Sequence, residues 1–181
     1  MATCKITAGI EISCDDKRRL GGLNPRWWVF DVDSIESYTV DVDGYVTEIV
    51  FKTYGGTYKM ESPDNACSAG YEVVVAEGGN KFFNHTAAIK LFATTPADDK
   101  VIEDMLVSNM GVIVETQNQE FLIYGPNNGL KTTEGSQNSG SEDASDVTDT
   151  LTMSGGDKNK PLRFFNTDEA TTLTALESYE L

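Results

Sequence analysis

The side chains in this sequence best able to do chemistry are its carboxylates: 29 Asp and Glu against 14 Lys and Arg, with one histidine, His85. Acid-base catalysis needs two titratable groups held in one cleft, and among so many acids a neighbouring pair says little. The arrangement nearest to a ligand pattern is Asp41-Val42-Asp43-Gly44, inside SYTVDVDGYVTE (residues 37–48). An EF-hand loop fixes glycine at its sixth position, carboxylates at the first, third and fifth, and a bidentate glutamate at the twelfth. With Gly44 as the sixth, Asp41 and Asp43 take the third and fifth, but the first is Thr39 and the last is Val50. Two of the strongest ligands are missing. The flanks alternate as strands, with Tyr38, Val40 and Val42 before the Asp-Gly pair and Val46, Ile49, Val50 and Phe51 after it. The pattern predicts a hairpin closed by a type I′ turn, with no metal and no cofactor.

Nucleophilic and metal chemistry find little else. Cys4, Cys14 and Cys67 are odd in number and lack C-x-x-C spacing, so neither a disulfide framework nor a zinc site is indicated. Cys67 and His85 stand 18 positions apart without a recognisable context, and His85 reads as a buried or rim histidine of a strand. There is no G-x-S-x-G, H-E-x-x-H or G-x-x-x-x-G-K-[ST], while Gly78-Gly79-Asn80 and Gly155-Gly156-Asp157 read as turns. The chain is not expected to be an enzyme or to take a small-molecule substrate.

With 181 residues the chain fits one domain, and 39% hydrophobic residues with 9% aromatics suffice for a core. Its formal net charge of −15 argues against tight nucleic-acid binding, which needs a basic surface that releases counterions. The local basic cluster Lys17-Arg18-Arg19, near Arg26, reads as a solvated loop or as a contact for an acidic neighbour. No run of 18 apolar residues occurs, and MATCKITAGIEIS lacks a basic-then-apolar layout, so a soluble protein made in a cytoplasm is expected.

The elements that must carry these residues are mostly short strands between turn signals, which predicts a mainly β architecture: an antiparallel β-sandwich or barrel with one flanking helix. Residues 4–12 alternate, with Ile6, Ala8, Ile10 and Ile12 on one face. Trp27-Trp28-Val29-Phe30 is apolar on both faces, so that strand is either central or at a subunit contact. Residues 38–42, 45–54 and 57–60 predict a three-stranded meander turning at Asp43-Gly44 and Gly55-Gly56. Residues 71–77 and 81–95 read as further strands, the latter with Phe83, His85, Ala87, Ile89 and Leu91 on one side.

The clearest helix covers residues 96–110: Thr95 as cap, Pro96 in the first turn, Asp98 and Asp99 at the positive end of the dipole, and Gly111 as the stop. Val101, Ile102, Met105, Leu106 and Met110 make its apolar stripe. A hairpin of residues 112–116 against 120–124 follows. Residues 126–159 are rich in Gly, Ser, Thr, Asn and acids and read as a long polar loop, although residues 149–154 still alternate. Residues 167–181 predict a short helix capped by Thr167.

The order of parts, namely early strands, a meander, a helix past mid-chain, a hairpin and a long polar loop leading into Leu151-Thr152-Met153-Ser154-Gly155, resembles the tail tube proteins of tailed bacteriophages. KITAGIEISCDDKRRLGG and NKFFNH…KLF…TTPADDKVIEDMLVS are also similar to small structural proteins of phages and prophages of Bacteroidetes-type hosts. The resemblance implies a subunit that forms rings of six, stacked around a channel for DNA, and located in the virion tail. Partners would be copies of itself and other virion proteins, with DNA passing untouched and no membrane involved. An acidic wall suits that passage because it repels phosphates. Glu134, Glu142, Asp143, Asp146 and Asp149 become the candidate channel or inter-subunit loop residues, and Trp27 and Trp28 the candidate subunit-contact aromatics. The alternatives are a capsid decoration or neck-ring protein, the tube protein of a contractile injection system, or a carbohydrate-binding β-domain using Trp27, Trp28 and the tyrosines as a platform.

Overall fold

The computed structural model describes residues 21–62, 66–92, 95–138 and 147–181. The expected strand over residues 4–12, the Lys17-Arg18-Arg19 cluster, and Glu142, Asp143 and Asp146 lie outside the described residues. The elements are β1 (Leu23–Asp31), β2 (Ile35–Val40), β3 (Tyr45–Phe51), β4 (Tyr58–Glu61), β5 (Ser68–Val75), β6 (Lys81–Leu91), α1 (Pro96–Val107), β7 (Met110–Thr116), β8 (Phe121–Tyr124), β9 (Lys131–Asn138), β10 (Thr148–Asp157), β11 (Leu162–Phe164) and α2 (Glu169–Ser178). They form two sheets, one of seven strands in the order β2-β3-β11-β8-β7-β1-β4 and one of four in the order β5-β6-β10-β9. The protein is mainly β, and the two sheets pack as a sandwich.

The doubly apolar run in β1 follows from its place in the middle layer. Trp27 and Val29 point into the core between the sheets, against Val112 and Val114 of β7, Ala87 and Ile89 of β6, and Leu151 and Met153 of β10. Trp28 and Phe30 point the other way, into a second cluster with Val46, Ile49, Ile113, Phe121, Phe164 and Leu176 of α2. Both tryptophans are fully buried within the one chain, so the subunit-contact reading of Trp27 and Trp28 is corrected: this strand is central. The same burial removes them as a sugar platform.

The seven-stranded sheet is strongly curled. From Asp31 to Ile35 the chain takes four Cα steps, about 14 Å at most, yet β1 and β2 stand five positions apart, about 24 Å in a flat sheet. The sheet therefore wraps round the second cluster, and α2 fills its open side. Main-chain bonds from Thr57 N to Tyr179 O (2.8 Å) and from Leu181 N to Thr57 O (3.1 Å), with Trp28 Nε1 donating to Glu180 Oε1 (2.9 Å), tie the end of the chain to the sheet.

Several local expectations change. The meander does not form: β2 and β3 pair, but β4 crosses to the far edge and pairs with β1, Trp28 facing Lys59. Gly55-Gly56 is a crossing rather than a hairpin turn, because Gly56 lies against the Tyr179 carbonyl, 2.5 Å from where a Cβ would stand. In the β2–β3 turn only Gly44 has positive φ (90°), which rules out type I′. Asp41 organises that turn: its Oδ1 accepts from Asp43 N (2.9 Å) and Tyr45 N (2.8 Å). A carboxylate engaged in this way builds an Asx turn.

α1 begins as expected, with a capping box between Thr95 and Asp98, but ends at Val107. Met110 and Gly111 belong to β7 instead, where Gly111 makes room for the Phe30 ring. Only Met105 of the expected stripe is buried within α1, and Val101 and Leu106 are exposed. The C-terminal helix is capped by Asp168, not Thr167; the Thr171 N–H bonded to its carboxylate holds that carboxyl below the usual range. The long loop is largely a hairpin, since β9 and β10 pair from Thr148–Asn138 to Ser154–Lys131. Its polar composition suits an edge strand whose neighbour β10 carries the inward Leu151 and Met153.

Candidate assembly surface

Of the candidate acids, Glu134 and Asp149 fall on this hairpin but not together. Thr152 faces Glu134, whereas Asp149 alternates with Leu151 and Met153, so the two carboxylates project to opposite faces of the four-stranded sheet. Glu134 is exposed and Asp149 half-buried, which excludes a shared acidic wall between these two residues. Among the described residues no group of three His, Cys, Asp or Glu side chains gathers at metal-binding distance, and no helix is long and apolar enough to cross a membrane.

His85 is fully buried in β6 and both ring nitrogens are engaged. Gly125 N–H donates to Nδ1 (3.0 Å), so the proton sits on Nε2, which donates to the Asn159 carbonyl (2.9 Å). Burial lowers its pKa below 6.5, outweighing the Asn159 carbonyl and the charge of Asp157, which act to raise it. The neighbouring Tyr124, edge-on at 5.6 Å, has its hydroxyl pushed up to about 12 by burial. Asp157, also buried, accepts from Asn127 N and Nδ2 and from Asn159 N. The cluster clamps the turn after β8 to β6 and β10. It leaves neither imidazole nitrogen available as a base. Cys67 is elsewhere, its Sγ accepting from Lys90 N (3.5 Å).

A second buried polar pair, missed from the sequence, joins Arg26 to Glu115 at 2.8 Å. Glu115 is 2% exposed beside β1, and the Arg26 side chain reaches it from the rim. No sequence signal points to this pairing, because the partners are 89 positions apart.

The outward features are apolar edges. β5 pairs only with β6, so its other side is a free edge among the described residues. Tyr71, Val73 and Val75 pair with His85, Phe83 and Lys81, which puts them on the same face as inward residues of β6, yet they are 45%, 57% and 59% exposed. The β5–β6 hairpin thus overhangs the body and shows an apolar underside, to which the Tyr71–Phe83 ring pair contributes. A second feature is a groove of about 790 Å³ between α1 and the edge strand β4, floored by core residues such as Val29, Leu91 and Met105. Its rim carries the exposed Tyr58, Phe92, Val101 and Val107. Sequence reading passed over both features because alternation identifies a strand but not whether its apolar face is covered.

No protein-family model matches this chain, and no curated protein matches it.

Proposed function

We propose that this chain is a structural subunit that assembles with copies of itself, in the manner of a phage tail tube protein whose stacked rings enclose a channel for DNA. The observation that carries the reading is the apolar edge of β5, where Tyr71, Val73 and Val75 stand exposed on a strand with no outer neighbour among the described residues. Such an edge is a template for pairing with another chain. The net charge of −15 supports the channel part of the reading, since an acidic lining keeps DNA from adhering. In this reading Glu134, on the outer sheet face, is a channel or contact residue, and the virion tail is the location.

Negative-stain microscopy of the concentrated purified protein tests it: rings or filaments are expected. Sedimentation across a salt series adds a second readout, because screening relieves repulsion between acidic copies and moderate salt should promote assembly. A monomer at every concentration, or dissociation that grows with salt, contradicts the proposal. A discrete trimer that never stacks would point to a decoration protein.

A further inference from the structure

We propose that His85 is an acid-sensitive latch: a proton on its ring frees the turn between β8 and β9 and tightens the hold on the turn between β10 and β11. Both turns carry the chain between the two sheets, residues 125–130 from the seven-stranded to the four-stranded sheet and residues 158–161 back again. From β6, in the four-stranded sheet, His85 holds one with each ring nitrogen. Nδ1 accepts from Gly125 N (3.0 Å), and Nε2 donates to the Asn159 carbonyl (2.9 Å).

The two bonds respond to a proton in opposite ways. A main-chain N–H can only donate, so Nδ1 must be bare while Gly125 is bound. Protonation there turns the acceptor into a donor and sets two N–H groups face to face in a fully buried site, where neither can be left unpaired cheaply. The Nε2 side gains instead, because imidazolium is the stronger donor to the Asn159 carbonyl. Asp157 supports the cation on that side and is tied to it through Asn159 N, which donates to its Oδ1 (3.1 Å). The other titratable groups around the ring are Tyr124 of β8, edge-on at 5.6 Å, and Tyr71 of β5, its register partner, with Lys160 at 5.7 Å over the Tyr71 ring. Burial outweighs the pull of Asp157, so the closed turn keeps the ring neutral and its pKa below 6.5.

The released segment is compact. Gly129 N donates to Gly125 O (3.0 Å), which closes the turn on itself, and its remaining ties run from Asn127 N to Asp157 Oδ2 (3.2 Å), from Tyr38 OH to Asn127 Oδ1 (3.0 Å) and from Leu130 N to Met110 O (2.6 Å). The proton does not have to break these ties. It raises the fraction of molecules in which the turn is open, because the closed form binds the proton less well than the open one. That fraction grows up to about tenfold per pH unit, from about pH 6.5 down to the lower pKa of the closed form. Opening uncovers Leu130, fully buried when the turn is closed.

The latch belongs to the single chain and does not rest on the assembly reading. Amide hydrogen exchange on the full chain tests it, each rate being expressed as protection relative to the unstructured amide at the same pH. Protection at Gly125, Asn127 and Gly129, relative to Trp28 and Ile113 in the middle of the seven-stranded sheet, should fall about tenfold between about pH 7.5 and 5.5. His85→Gln, which cannot titrate, should show no such fall. As the chain has a single histidine, nitrogen NMR of the ring is free of overlap and should show the proton on Nε2 at pH 8. The inference is overturned if the relative protection stays constant, if all amides lose protection together, or if His85→Gln shows the same fall. Should that variant not fold, the parent alone decides: a proton on Nδ1 at pH 8, or a folded imidazole that titrates at or above pH 6.5, overturns the latch.

Discussion

Replacing Gly111 by alanine tests the packing of the curled sheet at its tightest point. A Cβ built on Gly111 would stand 2.1 Å from Phe30 Cζ and 2.2 Å from Cε2, far inside van der Waals contact. Gly111 does not have positive φ, so backbone strain is no part of the effect. The Phe30 ring, 1% exposed and packed edge-on against Phe51 at 6.0 Å, has little room to retreat. Overpacking of this kind costs about 1–3 kcal/mol, and contacts this short place Gly111→Ala near the upper figure. About 3 kcal/mol is more than a hundredfold in the folding equilibrium, and about 6–12 °C in Tm for a chain of this size. Urea and thermal melts of the two proteins measure it. Gly135→Ala is the control, because its Cβ would meet Leu151 Cδ2 at 3.4 Å and Leu106 Cδ2 at 3.9 Å, both flexible side-chain ends, and it should be neutral to slightly stabilising. Adding Phe30→Leu to Gly111→Ala should recover part of the loss, with a coupling of about 1–3 kcal/mol in the double-mutant cycle. A Gly111→Ala protein within about 0.5 kcal/mol of the parent, or a strictly additive cycle, would refute the steric argument.

The buried neutral His85 makes stability depend on pH in a defined direction. Its folded pKa lies below 6.5, so the unfolded chain binds the extra proton first, and the contribution is full above about pH 6.5 and declines as pH falls below it. Melts from pH 8 to 5 should show the parent losing its advantage over His85→Gln as the pH drops; a constant gap would contradict the assignment. Arg26→Ala strands the buried Glu115 carboxylate and should cost about 2 kcal/mol, whereas Arg26→Met with Glu115→Leu should restore most of it, as buried pairs tolerate apolar replacement. Chemical denaturation of all three proteins reads the difference, and equal losses in the single and double variants would speak against a paired charge. Thr95→Ala removes the capping box of α1 and should cost about 1 kcal/mol, seen as a lower Tm.

Much of the local structure was legible in the residues. Alternation identified the buried face of β6, from His85 to Leu91, because a strand with one covered face must repeat every second position. Thr95-Pro96 with Asp98 announced the start of α1 because capping is decided by the first helical turn alone. The β7–β8 hairpin was visible for the same local reason. The candidate site was hardly legible. Glu134 and Asp149 looked like members of one acidic loop, and only the register of β9 on β10 sends them to opposite faces.

What the sequence determined by itself is therefore most of the elements, though not β9 or β11, together with the mainly β class and the acidic net charge, all of which depend on periodicity, capping and charge count. Tertiary structure decided which strands pair and which apolar surfaces are covered. β4 crosses to β1 instead of closing a meander because the sheet curls until its ends approach, a consequence of cumulative twist that no window of residues contains. Trp27 and Trp28 were ambiguous between core and contact until a sheet was found on one side of β1 and a helix on the other. Val73 and Val101 read like ordinary buried positions, and only the way the elements pack leaves them 57% and 44% exposed. Burial is a relation between segments distant in the chain, so it is settled by how they meet.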